Sequence, residues 1–217
     1  TDRERAMIHA LQLRYKNGGG RKDGDLHFAK AMAALASRYP DDKEVAVIAA
    51  DAWLMTHAET AEDYLLNAEL AMPLLEHALK LDPNYTPAIH FYIHATEDAR
   101  VPALAEPYAD RLAALAPKAS HLVHMPSHTY YWIGRYSDAA KANMRAVEIG
   151  IDNVFGRLWG RDGLSRRDRS LVTLGILIAL RATDELKFHV HIARNNGLTE
   201  DEIAEVIYHA SGYAGFP

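Results

Sequence analysis

The chain has 217 residues, 49% hydrophobic and 24% charged, a composition suited to one large globular domain or two small ones. Its net charge of −5 leaves no basic footprint for nucleic acid, and no apolar run reaches the ~18 residues of a membrane span. Without a single cysteine it has no disulfide, no thiolate nucleophile and no thiolate zinc site. No signal peptide is recognisable, so the default expectation is a cytoplasmic protein with neither nucleic acid nor membrane as partner.

In chain order the segments read as helices, rich in alanine, leucine and glutamate with apolar residues recurring at three and four. "NGGGRKDGD", residues 17 to 25, lacks the lysine-serine/threonine ending of a phosphate loop and reads as a flexible connection. "LDPNY" begins at Leu81, "LAPKA" at Leu115 and "IGIDN" at Ile149, two steps of 34 residues. A helix-turn-helix period of that length is the mark of a tetratricopeptide repeat. Residues 133 to 149, "IGRYSDAAKANMRAVEI", resemble the second half of such a unit, with Gly134, Tyr136, Ala139 and Ala146 at its pattern positions. "RYPDD" at 38 to 42 resembles an earlier repeat end, but Pro40 and Pro83 are 43 apart. That unit therefore carries about nine extra residues, expected around "THAETAED".

The same period places histidines. His90 and His124 are 34 apart, as are His94 and His128, and each pair within a unit is spaced i, i+4 on one helical face. His121, three residues before His124, extends that face, and Asp51 holds the position of His94 and His128 in the earlier unit. Resemblance to the repeat family implies that these positions line its concave groove. Neutral imidazoles converging from neighbouring helices would suit a transition metal (zinc, copper, iron or nickel) or haem, with Asp51 as a further ligand. A groove of this kind equally serves a peptide partner, which would make the protein an assembly scaffold. Pro126 opens one question: if it starts a helix, His124 leaves the shared face. His9, His27, His57, His77 and His209 are scattered and read as ordinary.

From about residue 153 the period stops. Ser165 with Asp168 predicts the start of a helix ending near Arg181; Thr183 or Asp184 opens a second, closed by Asn196 and Gly197; Thr199 with Glu202 caps a third, stopping at Gly212. The segments "WGRDGLSRRDRSLVTLGILIAL", "DELKFHVHIARNNGLTEDEI" and "YAGFP" resemble the carboxymuconolactone decarboxylase family. That family has further helices before the "WGRDGL" segment, so either repeat helices replace them here or residues are missing from the chain. The expected fold is all-α: a tetratricopeptide-like solenoid over residues 1 to 149, then a small decarboxylase-like helical bundle over 150 to 217.

The resemblance also implies chemistry. Family relatives that reduce peroxides use two cysteines and a histidine. Here Ala182 and Glu185 fall on the cysteine positions and His189 on the histidine, which excludes a thiol peroxidase and leaves the cysteine-free decarboxylase branch. Such an enzyme would remove carbon dioxide from a small carboxylated, lactone-like substrate without a cofactor. Arg161, Arg166, Arg167 and Arg169 are the candidates to hold the carboxylate. His189, oriented by Glu185 one helical turn earlier, is the candidate general acid or base. The nearly all-apolar stretch "LVTLGILIAL" and the relatives' ring-like assemblies together predict a homo-oligomer.

Overall fold

A computed structural model of the chain describes residues 1–16 and 23–215. The fold is all-α, with no strand among the described residues. Its contacts divide it into two units, Thr1–Ile149 and Gly150–Pro217. Most of the glycine-rich stretch lies outside the described residues, and its last three, Asp23, Gly24 and Asp25, already belong to a helix.

The first unit is a tetratricopeptide-like stack of helices. Helix α1 spans Asp2–Tyr15, α2 Asp23–Arg38, α3 Lys43–Leu54, α4 Ala61–Leu81 and α5 Thr86–Asp98. Then come α6 (Glu106–Leu115), α7 (Ser120–His124), α8 (Pro126–Trp132) and α9 (Tyr136–Ile151). Asp42 starts α3 by accepting hydrogen bonds from the Glu44 and Val45 amides, and Thr60 starts α4 with a reciprocal cap to Asp63. Prolines in the first turn open α5 and α6, where the missing N–H removes nothing from the helix, and Pro126 opens α8. Ala46, Ala50, Ala71, Ala78 and Ala95 let neighbouring helices approach closely around the fully buried Leu75, Ile89, Ile93, Leu112 and Met125.

The extra residues of the early unit sit elsewhere than the sequence predicts. Helix α4 is 21 residues long against 10 in α6, so the insertion lengthens the helix rather than the turn around "THAETAED". The Thr60 cap sets the start of α4, and the helix then runs through Pro73 to Leu81.

In the second unit a π-helical segment, Asp152–Leu158, precedes α10 (Arg166–Ala179), α11 (Thr183–Asn195) and α12 (Glu200–Ala214). Ser165 caps α10 and Thr199 caps α12, each accepting from the amide three residues on. Gly212 does not stop α12: the helix continues to Ala214 and ends at Gly215, whose φ of +87° is a conformation that favours glycine. The core is small, made of Leu174, Ala193, Leu198 and Ile203.

Candidate functional site

Helix α5 presents His90 and His94, while α7 and α8 present His121, His124 and His128. Asp51, His94 and His128 each stand eight residues after the first residue of their repeat helices, Lys43, Thr86 and Ser120. Pro126 does not break the register. Met125 keeps a helical backbone at φ −50° and ψ −39°, so His124 and His128 remain one turn apart with ring centroids separated by 4.9 Å.

The five imidazoles close a circuit. Centroids lie 5.0 Å apart for His90–His94 and His90–His121, 5.5 Å for His94–His128 and 6.2 Å for His121–His124. Nitrogens meet edge to edge: the two Nε2 atoms of His90 and His121 are 3.0 Å apart, and those of His124 and His128 are 3.1 Å apart. One ring nitrogen from each of His90, His94 and His121 lies within 4.8 Å of the other two.

Burial, then the neighbouring His94, His121 and His128, pushes His90 down to about 4, and burial followed by His128 also lowers His94. Both are neutral at neutral pH, so each ring has one unprotonated nitrogen. Outside the circuit, His128 Nδ1–H donates to Glu97 Oε2 at 2.9 Å, and Trp132 Nε1–H donates to the other Glu97 oxygen at 2.8 Å. His124 Nδ1 bonds Asn143 Oδ1 at 2.5 Å.

Asp51 does not join this group. It is half-buried on α3, raised above the ordinary carboxylate range by burial, with Arg14 as the charge that opposes the shift. Its unit has Val47, a core residue, where the later units have His90 and His124. Sequence reasoning missed Glu97, Trp132 and Asn143. Glu97 follows His94 by three residues and Trp132 follows His128 by four, spacings that put both on the histidine face. Asn143 comes from α9, and no spacing announces it.

In the second unit the structure sorts the four arginines. Arg167 is ion-paired with Glu202. Arg169 donates from its Nη2 to the Arg161 carbonyl at 2.8 Å, while its buried Nε has no hydrogen-bond partner among the described residues. Arg161 and Arg166 have exposed side chains. His189 is half-buried on α11 and stacks on Trp159, centroids 6.3 Å apart at 26°, with Phe188 edge-on. Glu185 is exposed, and among the described residues it makes no hydrogen bond to His189. Trp159 and Phe188, rather than Glu185, are the groups that lie against the imidazole.

Gly160 makes this arrangement possible, since a Cβ there would lie 2.3 Å from the Gly156 carbonyl oxygen. The turn Trp159–Arg161 then touches both groups, carrying the His189 ring on Trp159 and the Arg169 guanidinium on the Arg161 carbonyl. Trp159 was a missed residue, legible only as an aromatic beside a glycine. Between α10 and α12 a mostly apolar groove of about 700 Å³ is lined by Leu171, Gly175, Val206 and His209, with Arg167 and Glu202 on its wall.

Comparison with known proteins places the second unit. Residues 151–217 match the carboxymuconolactone decarboxylase family. The chain is 51% identical over 63 residues to 4-carboxymuconolactone decarboxylase of Acinetobacter baylyi, covering 29% of this chain and 47% of that one. It is 49% identical over 70 residues to nitrosuccinic acid decarboxylase of Metarhizium robertsii, covering 32% and 49%. The chain therefore spans about half the length of these curated relatives. A solved structure, MamA MSR-1 C2, aligns with 70% of this chain and 96% of its own at 15% identity and a TM-score of 0.48.

Proposed function

Because residues 151–217 are a carboxymuconolactone decarboxylase family segment, we propose that the protein removes a carboxyl group from a small carboxylated, lactone-like substrate by acid–base chemistry. One observation carries the reading: the segment is about half identical to two proteins named as decarboxylases of different acids. The orphaned Arg169 Nε is the donor that a substrate carboxylate would satisfy, with Arg166 and Arg161 nearby in sequence and not committed to an ion pair with Glu202 as Arg167 is.

In this scheme the bond between the carboxylate carbon and the ring carbon breaks and carbon dioxide leaves. The electron pair passes into the conjugated carbonyl as a dienolate, and the His189 imidazolium returns a proton to carbon. Water then reprotonates the imidazole. Stacking on Trp159 holds the ring at a fixed angle while it donates, which is the positioning that proton transfer requires.

The test is turnover of a carboxylated lactone by the full chain, followed as carbon dioxide release. Substituting His189→Gln should lower kcat by about 10²- to 10⁴-fold, the usual worth of a positioned acid–base group. Undiminished turnover in that variant would remove His189 from the mechanism.

A further inference from the structure

The histidine circuit lies in the first unit, outside the matched segment, and the proposed decarboxylation makes no use of it. We propose that it is a binding site for a divalent late first-row transition ion, seated by His90, His94 and His121 and flanked by the His124–His128 pair.

The argument begins with tautomers. Glu97 is a carboxylate and only accepts, so His128 carries a proton on Nδ1, and in the neutral ring the lone pair is on Nε2. Asn143 presents its carbonyl oxygen to His124 Nδ1 at 2.5 Å, nearer than the Ser127 hydroxyl at 3.4 Å, which favours the same tautomer there. In the neutral forms two lone pairs then face each other across 3.1 Å, a contact relieved by a shared proton or by a metal ion beside them. His90 and His121 repeat the Nε2-to-Nε2 approach at 3.0 Å. Nitrogens bound ~2.0–2.1 Å from one tetrahedral ion sit roughly 3.4 Å apart, so both pairs are near coordination spacing as they stand.

The choice of ion follows from the donors. Five imidazoles with no thiolate and no carboxylate in the circuit suit zinc, copper or nickel better than the hard, oxygen-seeking calcium or magnesium. His94 closes the set of three whose nitrogens are mutually within 4.8 Å. Exposed His121 marks the side on which the ion meets solvent, leaving a fourth position for water or a small anion. Behind the flanking pair, Glu97 orients the His128 ring through Nδ1 and is itself held by Trp132.

Copper(II) and zinc(II) titrated into the metal-free full chain provide the test. Calorimetry should give one saturable site per chain, and the copper-loaded wild type should show nitrogen hyperfine structure from imidazole in its paramagnetic resonance spectrum. A His90→Gln, His121→Gln double variant, checked for retained helicity, should bind at least a hundredfold more weakly. Substituting Glu97→Gln, which loosens only the flanking His128, should weaken binding by no more than about tenfold. His77→Gln, which alters a histidine bonded to the Pro40 carbonyl, should leave the affinity unchanged. Absence of saturable binding in the wild type, oxygen-only ligation, or equal affinity in the double variant would each overturn the proposal. The spectrum of the wild type decides the matter even if the double variant fails to fold.

Discussion

The two units use the same element, the capped amphipathic helix, yet surround their candidate sites differently. In the first, the histidines stand on α5 and α7–α8 above a continuous core that includes Leu75, Ile93 and Leu112. In the second, only four apolar residues are buried among those described, while Val172, Ile176, Leu180 and Tyr213 are 54%, 52%, 71% and 85% exposed. A site on a deep core has its geometry fixed by repeat packing. A site on a thin core depends on single contacts, here Trp159 on His189 and Arg169 on one carbonyl. Register built the first site; one glycine-permitted turn built the second.

That contrast can be broken most visibly by association. Apolar surface of this extent on α10 and α12 is unusual for a helix facing water, and the expectation is that second units of two or more chains cover it together. Sedimentation at micromolar concentration should then give a species larger than the monomer. A Val172→Glu, Ile176→Glu double variant, altering two residues one turn apart on α10, should sediment as the monomer. A wild type that remains monomeric would mean that the exposed face of the second unit is simply tolerated.

Matched deletions in the two cores should give the next largest effect. Leu112 and Leu174 are both essentially inaccessible, yet the first lies among many buried neighbours and the second among three. Truncating a buried leucine to alanine destabilises by about 2–5 kcal/mol, with the larger figures where the surroundings cannot collapse. Leu112→Ala should fall near the upper end and Leu174→Ala near the lower, read from urea midpoints. Equal losses would show that the second unit is as tightly braced as the first.

How much was legible in advance also divides between the units. A period is a long-range constraint written locally, so the 34-residue step by itself puts His90, His94, His124 and His128 on one face. It could not show that Asp51, in the same register, is cut off from them, because that depends on packing between helices rather than on spacing. Capping pairs such as Ser165–Asp168 and Thr199–Glu202 were readable because each is complete within four residues. Gly212 misled for the same reason: a glycine reads as a stop, but the positive φ that ends α12 is at Gly215. The i, i+4 rule suggested Glu185 as the partner of His189. Trp159, thirty residues away in sequence, holds the ring through a contact that only the tertiary fold creates.

The smallest and most selective probe of the contrast is the proton. His90 titrates near 4 in the folded chain, through burial and then its imidazole neighbours, against about 6.5 when unfolded. The unfolded chain therefore binds more protons between those values, so the stability contributed by the neutral ring is full above pH 6.5 and is lost as pH falls towards 4. His94 shifts in the same direction. In the first unit Asp51 and Asp98, raised mainly by burial, pull the opposite way in acid. In the second unit Glu202 is lowered, first by the Thr199 amide and then by Arg167, so its contribution persists until pH falls below the ordinary glutamate range. With metal removed by chelator, the first unit should soften between pH 6.5 and 4 while the second holds. The decisive quantity is the difference between wild type and His90→Gln, which cancels the carboxylates common to both. Because the rings are partly solvated, that difference should be smaller than either leucine deletion. Identical pH dependence in the two proteins would mean that the circuit carries no protonation strain, and that its close nitrogens are at ease without an ion.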